Sequence, residues 1–154
     1  MLPDPEPEGG PVIVGLGIDI ARVSRLSRTL ARDPRLLTQV FTSAEVAFAH
    51  DEQRSMQLVS AFAFKEAAFK ALQQGWLESA LFWTDIELLS PWQVASPHIR
   101  FSGAAQACFL QRGGTHIDAA VTACGDLVIA QLVLSSCTLD AMRGVNMVLP
   151  GKCS

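Results

Sequence analysis

The chain has 154 residues, 49% of them hydrophobic, and a formal net charge of −3. That length fits one domain with a real core, the acidic balance argues against general nucleic-acid binding, and no apolar run reaches the ~18 residues of a membrane span. The four cysteines, Cys108, Cys124, Cys137 and Cys153, stand far apart without a C-x-x-C pair, which speaks against a zinc site or a disulfide framework.

In chain order, the acidic, Pro/Gly-rich MLPDPEPEGGP (1–11) reads as a disordered leader, not a secretory signal. The protein is therefore expected in the cytoplasm. PVIVGLGIDI (11–20) is β-branched and punctuated by glycine, the pattern of a buried strand. ARVSRLSRTLAR (21–32) sets Val23, Leu26 and Leu30 at helical spacing with arginines on the rest of the wheel, and Pro34 limits its length. Thr42 and Glu45 of TSAE form a capping box that opens a second helix through about His50. A long helix is expected from about Arg54 to Gln74, with Gly75 placed to end it. WTDIELLS (83–90) and HIRFS (98–102) read as strands, SGAAQACFLQRGG (102–114) as a serine-capped helix, and residues 116–124 and 127–136 as a hairpin turning at Gly125-Asp126. The last eighteen residues show no pattern. The expected domain, 12–136, is α+β, with a largely antiparallel sheet packed on a long central helix and 137–154 as a C-terminal tail.

Within the long helix, AFAFKEAAFKAL (61–72) is apolar nearly all round yet carries Lys65, Glu66 and Lys70. On its own, Glu66 with Lys70 one turn later is an ordinary i,i+4 pair. A second carboxylate within reach changes that reading, and Asp19 at the end of GLGIDI offers one. Two carboxylates on rigid elements beside a lysine suit a Mg²⁺–phosphate site. The glycines flanking Leu16 would let a ligand approach the backbone.

Taken in order, GLGIDI, FTSAEV, FAFKEAAFKAL, WTDIEL, IRFSGAA and GDLVIAQLVL resemble the holo-acyl-carrier-protein synthases, the small trimeric 4′-phosphopantetheinyl transferases, from about Val12 to Leu134. The resemblance implies that fold, a homotrimer with active sites between subunits, and transfer of the phosphopantetheine arm of coenzyme A to a serine of an apo acyl carrier protein, such as those of lipid or polyketide biosynthesis. It implies Asp19 and Glu66 as Mg²⁺ ligands, Lys70 as a phosphate contact that assists the leaving group, and Lys65 as the lysine of the KEA signature. Glu66, Lys70 and Lys65 are thus the catalytic candidates, with Lys70 and Gly75 contacting coenzyme A. The base is either a metal-bound water or Glu66. Arg25, Arg32 and Arg35 would dock the acidic carrier.

Several positions depart from the family pattern. Ala61 and Gln39 stand where arginines are usual, and Gln73-Gln74 where small residues are. Ala95-Ser96-Pro97 replaces a Gly-Lys-Pro turn, and Ala120 and Ala123 replace a serine and a histidine. All these changes remove groups expected to hold the nucleotide. They keep two further readings in view: a repurposed paralogue acting on another ligand or a loaded carrier, and a non-catalytic binding protein.

Overall fold

The computed structural model describes residues 10–49, 53–74 and 80–137. β1 (Val12–Arg22) leads into α1 (Val23–Arg32), α2 (Leu36–Val40), α3 (Ser43–Phe48) and the long α4 (Arg54–Ala71). A 3₁₀ turn at Trp83–Asp85 enters β2 (Ile86–Leu88), followed by β3 (Ile99–Phe101), α5 (Gly103–Gln111), β4 (His116–Cys124) and β5 (Leu127–Ser136). The α+β architecture and antiparallel pairing expected from sequence are observed. One sheet has the order β1-β5-β4, and β2 and β3 form a separate antiparallel pair. No helix among the described residues is long and apolar enough to cross a membrane.

The hairpin turns at Gly125-Asp126, where Gly125 has φ +58°. Glycine adopts that conformation without a Cβ clash, at the first central position of a two-residue hairpin loop. β5 thereby becomes the central strand. Its Val128, Ala130, Leu132 and Leu134 are fully buried beneath α4. Helix α4 supplies much of the core through Leu58, Val59, Ala63, Phe64, Ala67, Ala68, Phe69 and Ala71. Each large side chain so buried contributes roughly 1.5–3 kcal/mol of transfer free energy.

Four expectations need correction. β1 is not buried on both faces. Its alternation puts Gly15, Gly17, Asp19 and Ala21 toward α4 and leaves Leu16, Ile18 and Ile20 on an open face, 54%, 48% and 61% exposed. The short α2 has no counterpart in the sequence reading, because five residues are too few to show a helical period. The long helix stops at Ala71 instead of Gln74. Gln73 takes φ 55°, with its N–H on Lys70 O and the Gln74 N–H on Phe69 O, the paired bonds of a Schellman cap. Ser102 does stand before α5, but its side chain makes no cap bond; its backbone N–H and its hydroxyl both donate to Asp85 O.

Candidate active site

The site begins with the fit of β1 against α4. A Cβ on Gly17 would lie 2.7 Å from the Ala67 carbonyl carbon and 2.9 Å from the Ala71 nitrogen. One on Gly15 would lie 3.1 Å from the Ala71 carbonyl carbon. The two glycines of GLGIDI therefore admit the helix backbone, not a ligand, which corrects the reading made from their sequence alone. The same strand face carries Asp19 two residues later, inside the strand and not at its end.

Helix α4 meets Asp19 with Lys70, whose Nζ donates to Asp19 Oδ1 at 2.7 Å and to Ile18 O at 2.8 Å. β1 is an edge strand, so one row of its carbonyls has no strand partner. Val14 O, four residues before Ile18, accepts two bonds from Arg112. One turn before Lys70, Glu66 is half-buried, and it has no hydrogen-bond or ion-pair partner among the described residues. Burial raises its carboxyl above the ordinary value, the nearby Asp19 charge adds to the rise, and Lys70 opposes it. Phe62 and Phe69, on the same helix face, pack on Trp83 at ring separations of 5.5 and 5.0 Å. Four residues before and three after Glu66, they flank it with aromatic rings on the helix surface.

Asp19, Glu66 and Lys70 are thus brought together. Lys65 is not with them. Its ammonium is fully buried on another side of α4, 3.0 Å from Glu45 Oε2, and it donates to Trp83 O at 2.9 Å and to Ile86 O. Burial pulls its pKa down while Glu45 opposes the shift. Glu45 is itself buried. It closes the capping box with Thr42 and accepts the Leu88 N–H at 2.9 Å. Gly75 lies outside the described residues.

Among the arginines, Arg25 and Arg32 are exposed on α1 with no acidic partner among the described residues. Arg35 is held by Asp33 at 2.9 Å, which raises the guanidinium and lowers the carboxyl. The start of α1 is fixed by Asp126, which sequence reasoning missed. Its carboxylate accepts the Ser24 N–H at 2.8 Å and the Ser24 hydroxyl at 2.7 Å, and its carbonyl accepts the Val23 N–H. These bonds lower the Asp126 pKa. No local signal betrays a cap that comes from 102 residues away.

Chemically, the two carboxylates suit a hard dication. Burial is the larger cause of the rise at Glu66, and a cation between the two would relieve the part that Asp19 adds. The described residues hold no cluster of three or more His, Cys, Asp or Glu side chains. An ion here would complete its shell with phosphate oxygens and water, as Mg²⁺ does where it takes one or two carboxylates.

Residues 15–131 match the 4′-phosphopantetheinyl transferase superfamily. The holo-[acyl-carrier-protein] synthase of Trichlorobacter lovleyi is 32% identical over 127 residues, covering 81% of this chain and 99% of the relative. The crystal structure of a Plasmodium yoelii holo-ACP-synthase superposes with a TM-score of 0.71 at 22% identity, covering 84% of this chain and 99% of that one. The Helicobacter pylori holo-[acyl-carrier-protein] synthase, solved in complex with coenzyme A, gives a TM-score of 0.64 at 26% identity over 77% of this chain and 98% of that one. With the family matched across most of its length and the fold reproduced, the chain belongs to the holo-acyl-carrier-protein synthase family of 4′-phosphopantetheinyl transferases.

Proposed function

We propose that the protein moves the 4′-phosphopantetheine arm of coenzyme A onto a serine of an apo acyl carrier protein, with Mg²⁺ held by Asp19 and Glu66. The observation that carries this reading is the meeting of two carboxylates and a lysine at the β1–α4 contact, with Lys70 bridging to Asp19 at 2.7 Å. Asp19 and Glu66 would hold the Mg²⁺, which when bound would supply charge neutralisation of the diphosphate and polarisation of the phosphorus under attack. The serine oxygen forms a new bond to that phosphorus, the diphosphate P–O bond breaks, and adenosine 3′,5′-bisphosphate leaves with the electron pair. Glu66 is the chain's own candidate to take the serine proton. Lys70 places its positive charge beside the departing phosphate. Lys65 has no free N–H left for substrate, since Glu45 and two carbonyls take its protons.

The carrier docks on α1. Arg25 and Arg32, which have no ion-pair partner among the described residues, steer an acidic surface. Arg35 contributes less, because Asp33 already holds it. The exposed Leu16, Ile18, Ile20 and Ile129 lie on one open sheet face, and contiguous exposed apolar residues mark interfaces, which supports a homotrimer with sites between subunits. We place the enzyme in the cytoplasm, where coenzyme A and carrier proteins meet.

The test is intact-mass measurement of an apo acyl carrier protein incubated with the enzyme, coenzyme A and Mg²⁺. Asp19→Ala and Glu66→Ala variants run beside it. The expected outcome is a gain of one phosphopantetheine arm, lost in both variants. No gain with several carriers, and no coenzyme A binding, would refute the reading. It would also favour the repurposed paralogue suggested by Ala61, Ala120 and Ala123.

A further inference from the structure

We propose that Glu45 and Lys65 are positioning residues for the transfer, fixing the rotation of α4 about its own axis and so the place of Glu66 and Lys70 against Asp19. This rests on the reading of the site given above.

Apolar burial alone does not choose a rotation for α4. Counting ~100° per residue from Lys65, Phe69 falls at ~40°, Phe62 at ~60°, Ala67 at ~200°, Ala71 at ~240°, Phe64 at ~260° and Ala68 at ~300°. Of these, all but the partly buried Phe62 are buried. A helix wrapped in small and aromatic side chains on most sides has little amphipathic preference for one orientation. Glu66 and Lys70, at ~100° and ~140°, share their sector with the buried Val59 at ~120° and Ala63 at ~160° nearer the helix start, so no sector of the helix is wholly polar.

Two fasteners flank that sector. On one side the backbone of Ala67 and Ala71 is seated on Gly17 and Gly15. On the other, the Lys65 ammonium is anchored to Glu45 Oε2, Trp83 O and Ile86 O. Glu45 does not float either, for its two oxygens also take the Thr42 and Leu88 N–H groups. The anchor therefore joins α4 to the start of α3, the 3₁₀ turn and β2. A buried charge that must keep its partner resists displacement far more than a methyl group does. The anchored turn also carries Trp83, the ring that packs on Phe62 and Phe69 beside Glu66.

The lever is long enough to matter. Side chains reach about 5–6 Å from a helix axis, so a rotation of about 20° moves a carboxylate by roughly 2 Å. Misplacement of about 1 Å in a reacting constellation costs about 10²-fold in rate. Glu45 and Lys65 thus act through Glu66 and Lys70 without touching substrate.

The test replaces the pair by near-isosteres, Glu45→Gln with Lys65→Met. Removing both charges together avoids leaving one buried and unpaired. Steady-state transfer is followed with coenzyme A and apo carrier, and the variant is crystallised beside the wild type. The expected result is a folded protein with kcat lowered about 10- to 100-fold and both KM values within about threefold. In the crystal the Glu66 carboxylate should be displaced by about 1 Å or more relative to Asp19. A kcat within about twofold of wild type, or a Glu66 that stays in place, would overturn the proposal. If the wild type transfers nothing, the functional reading fails, and the crystal comparison alone decides the positioning role. If the double variant does not fold, Glu45→Asp keeps the charge but shortens its reach. It should lower kcat with KM unchanged, and a wild-type kcat there would equally overturn the idea.

Discussion

Replacing Gly17 by alanine tests how the site is built. The added Cβ would stand 2.7 Å from the Ala67 carbonyl carbon and 2.9 Å from the Ala71 nitrogen. Carbon atoms rest at about 3.5–4.0 Å, so helix and strand must part by roughly 0.8 Å at least. The obstacle is backbone, and no rotamer change relieves it. At Gly15 a Cβ would likewise run into a backbone carbonyl, that of Ala71, whose oxygen is the nearest atom and whose carbon lies at 3.1 Å, so backbone must move there too, though less far. Overpacking of a dense core costs about 1–3 kcal/mol and sometimes more. Gly17→Ala belongs at or above the top of that range, and Gly15→Ala, whose backbone clash is less deep, destabilises by less. With a urea slope of about 1–3 kcal/mol/M, Gly17→Ala should lower the unfolding midpoint by about 1–3 M. The same parting carries Lys70 away from Asp19, so transfer should fall together with stability. If the glycines instead existed to admit a ligand, Gly17→Ala would keep the wild-type midpoint and lose affinity for coenzyme A. That result would refute the packing argument.

Glu66 makes a pH prediction with a definite sign. Its folded-state carboxyl is raised by burial and by Asp19, so ionising it works against the fold. Stability associated with its neutral form is complete below the unfolded value and is lost as pH rises through the raised folded value. In metal-free buffer, Glu66→Gln should melt with the wild type at about pH 4 and above it at pH 8; a gap that does not widen with pH would refute this. Arg25→Glu and Arg32→Glu should raise the KM for carrier about tenfold or more with kcat little changed, whereas Arg35→Glu should do less. Steady-state kinetics at several salt concentrations check this, and equal effects at all three positions would contradict it. If the open β1 face forms the proposed trimer, light scattering should find a trimeric wild type and a monomeric Ile18→Lys, and a monomeric wild type would remove the assembly argument.

What was legible in the sequence had local causes. The Thr42–Glu45 capping box and the hairpin turning at Gly125-Asp126 each depend on neighbours a few residues apart, and both are present. The Asp19–Glu66–Lys70 meeting was readable because a family resemblance supplied the long-range pairing that periodicity cannot. What was not legible was decided by distant groups. The cap of α1 comes from Asp126, and the fate of Lys65 hangs on carbonyls at Trp83 and Ile86. The end of α4 was misplaced for a subtler reason. Gly75 offers the conformation a helix end prefers, but Gln73 takes the left-handed position instead, with Arg112 Nη1 at 3.3 Å from its side-chain oxygen. A left-handed L-residue costs about 1–2 kcal/mol, which the Schellman bonds and tertiary packing offset.

The spacing of the two signature segments follows from matched repeats. Two strand residues advance about 6.7 Å, and four helix residues advance about 6 Å. Gly15 therefore meets Ala71 while Gly17 meets Ala67, with α4 running opposite to β1. One more strand step brings Asp19 level with the turn before Ala67. Helix side chains tilt toward their own N-terminus, which in this antiparallel seating is the direction of Asp19. Lys70, rooted beside Ala71, accordingly leans along the strand and reaches Ile18 O and Asp19 Oδ1. Glu66, one turn nearer the helix start, needs no such reach. A glycine–x–glycine–x–aspartate strand and a glutamate–x–x–x–lysine helix are thus two halves of one lattice match. Moving Asp19 by a single residue would turn it to the open face with Ile18 and Ile20, and no lysine on α4 could follow it there.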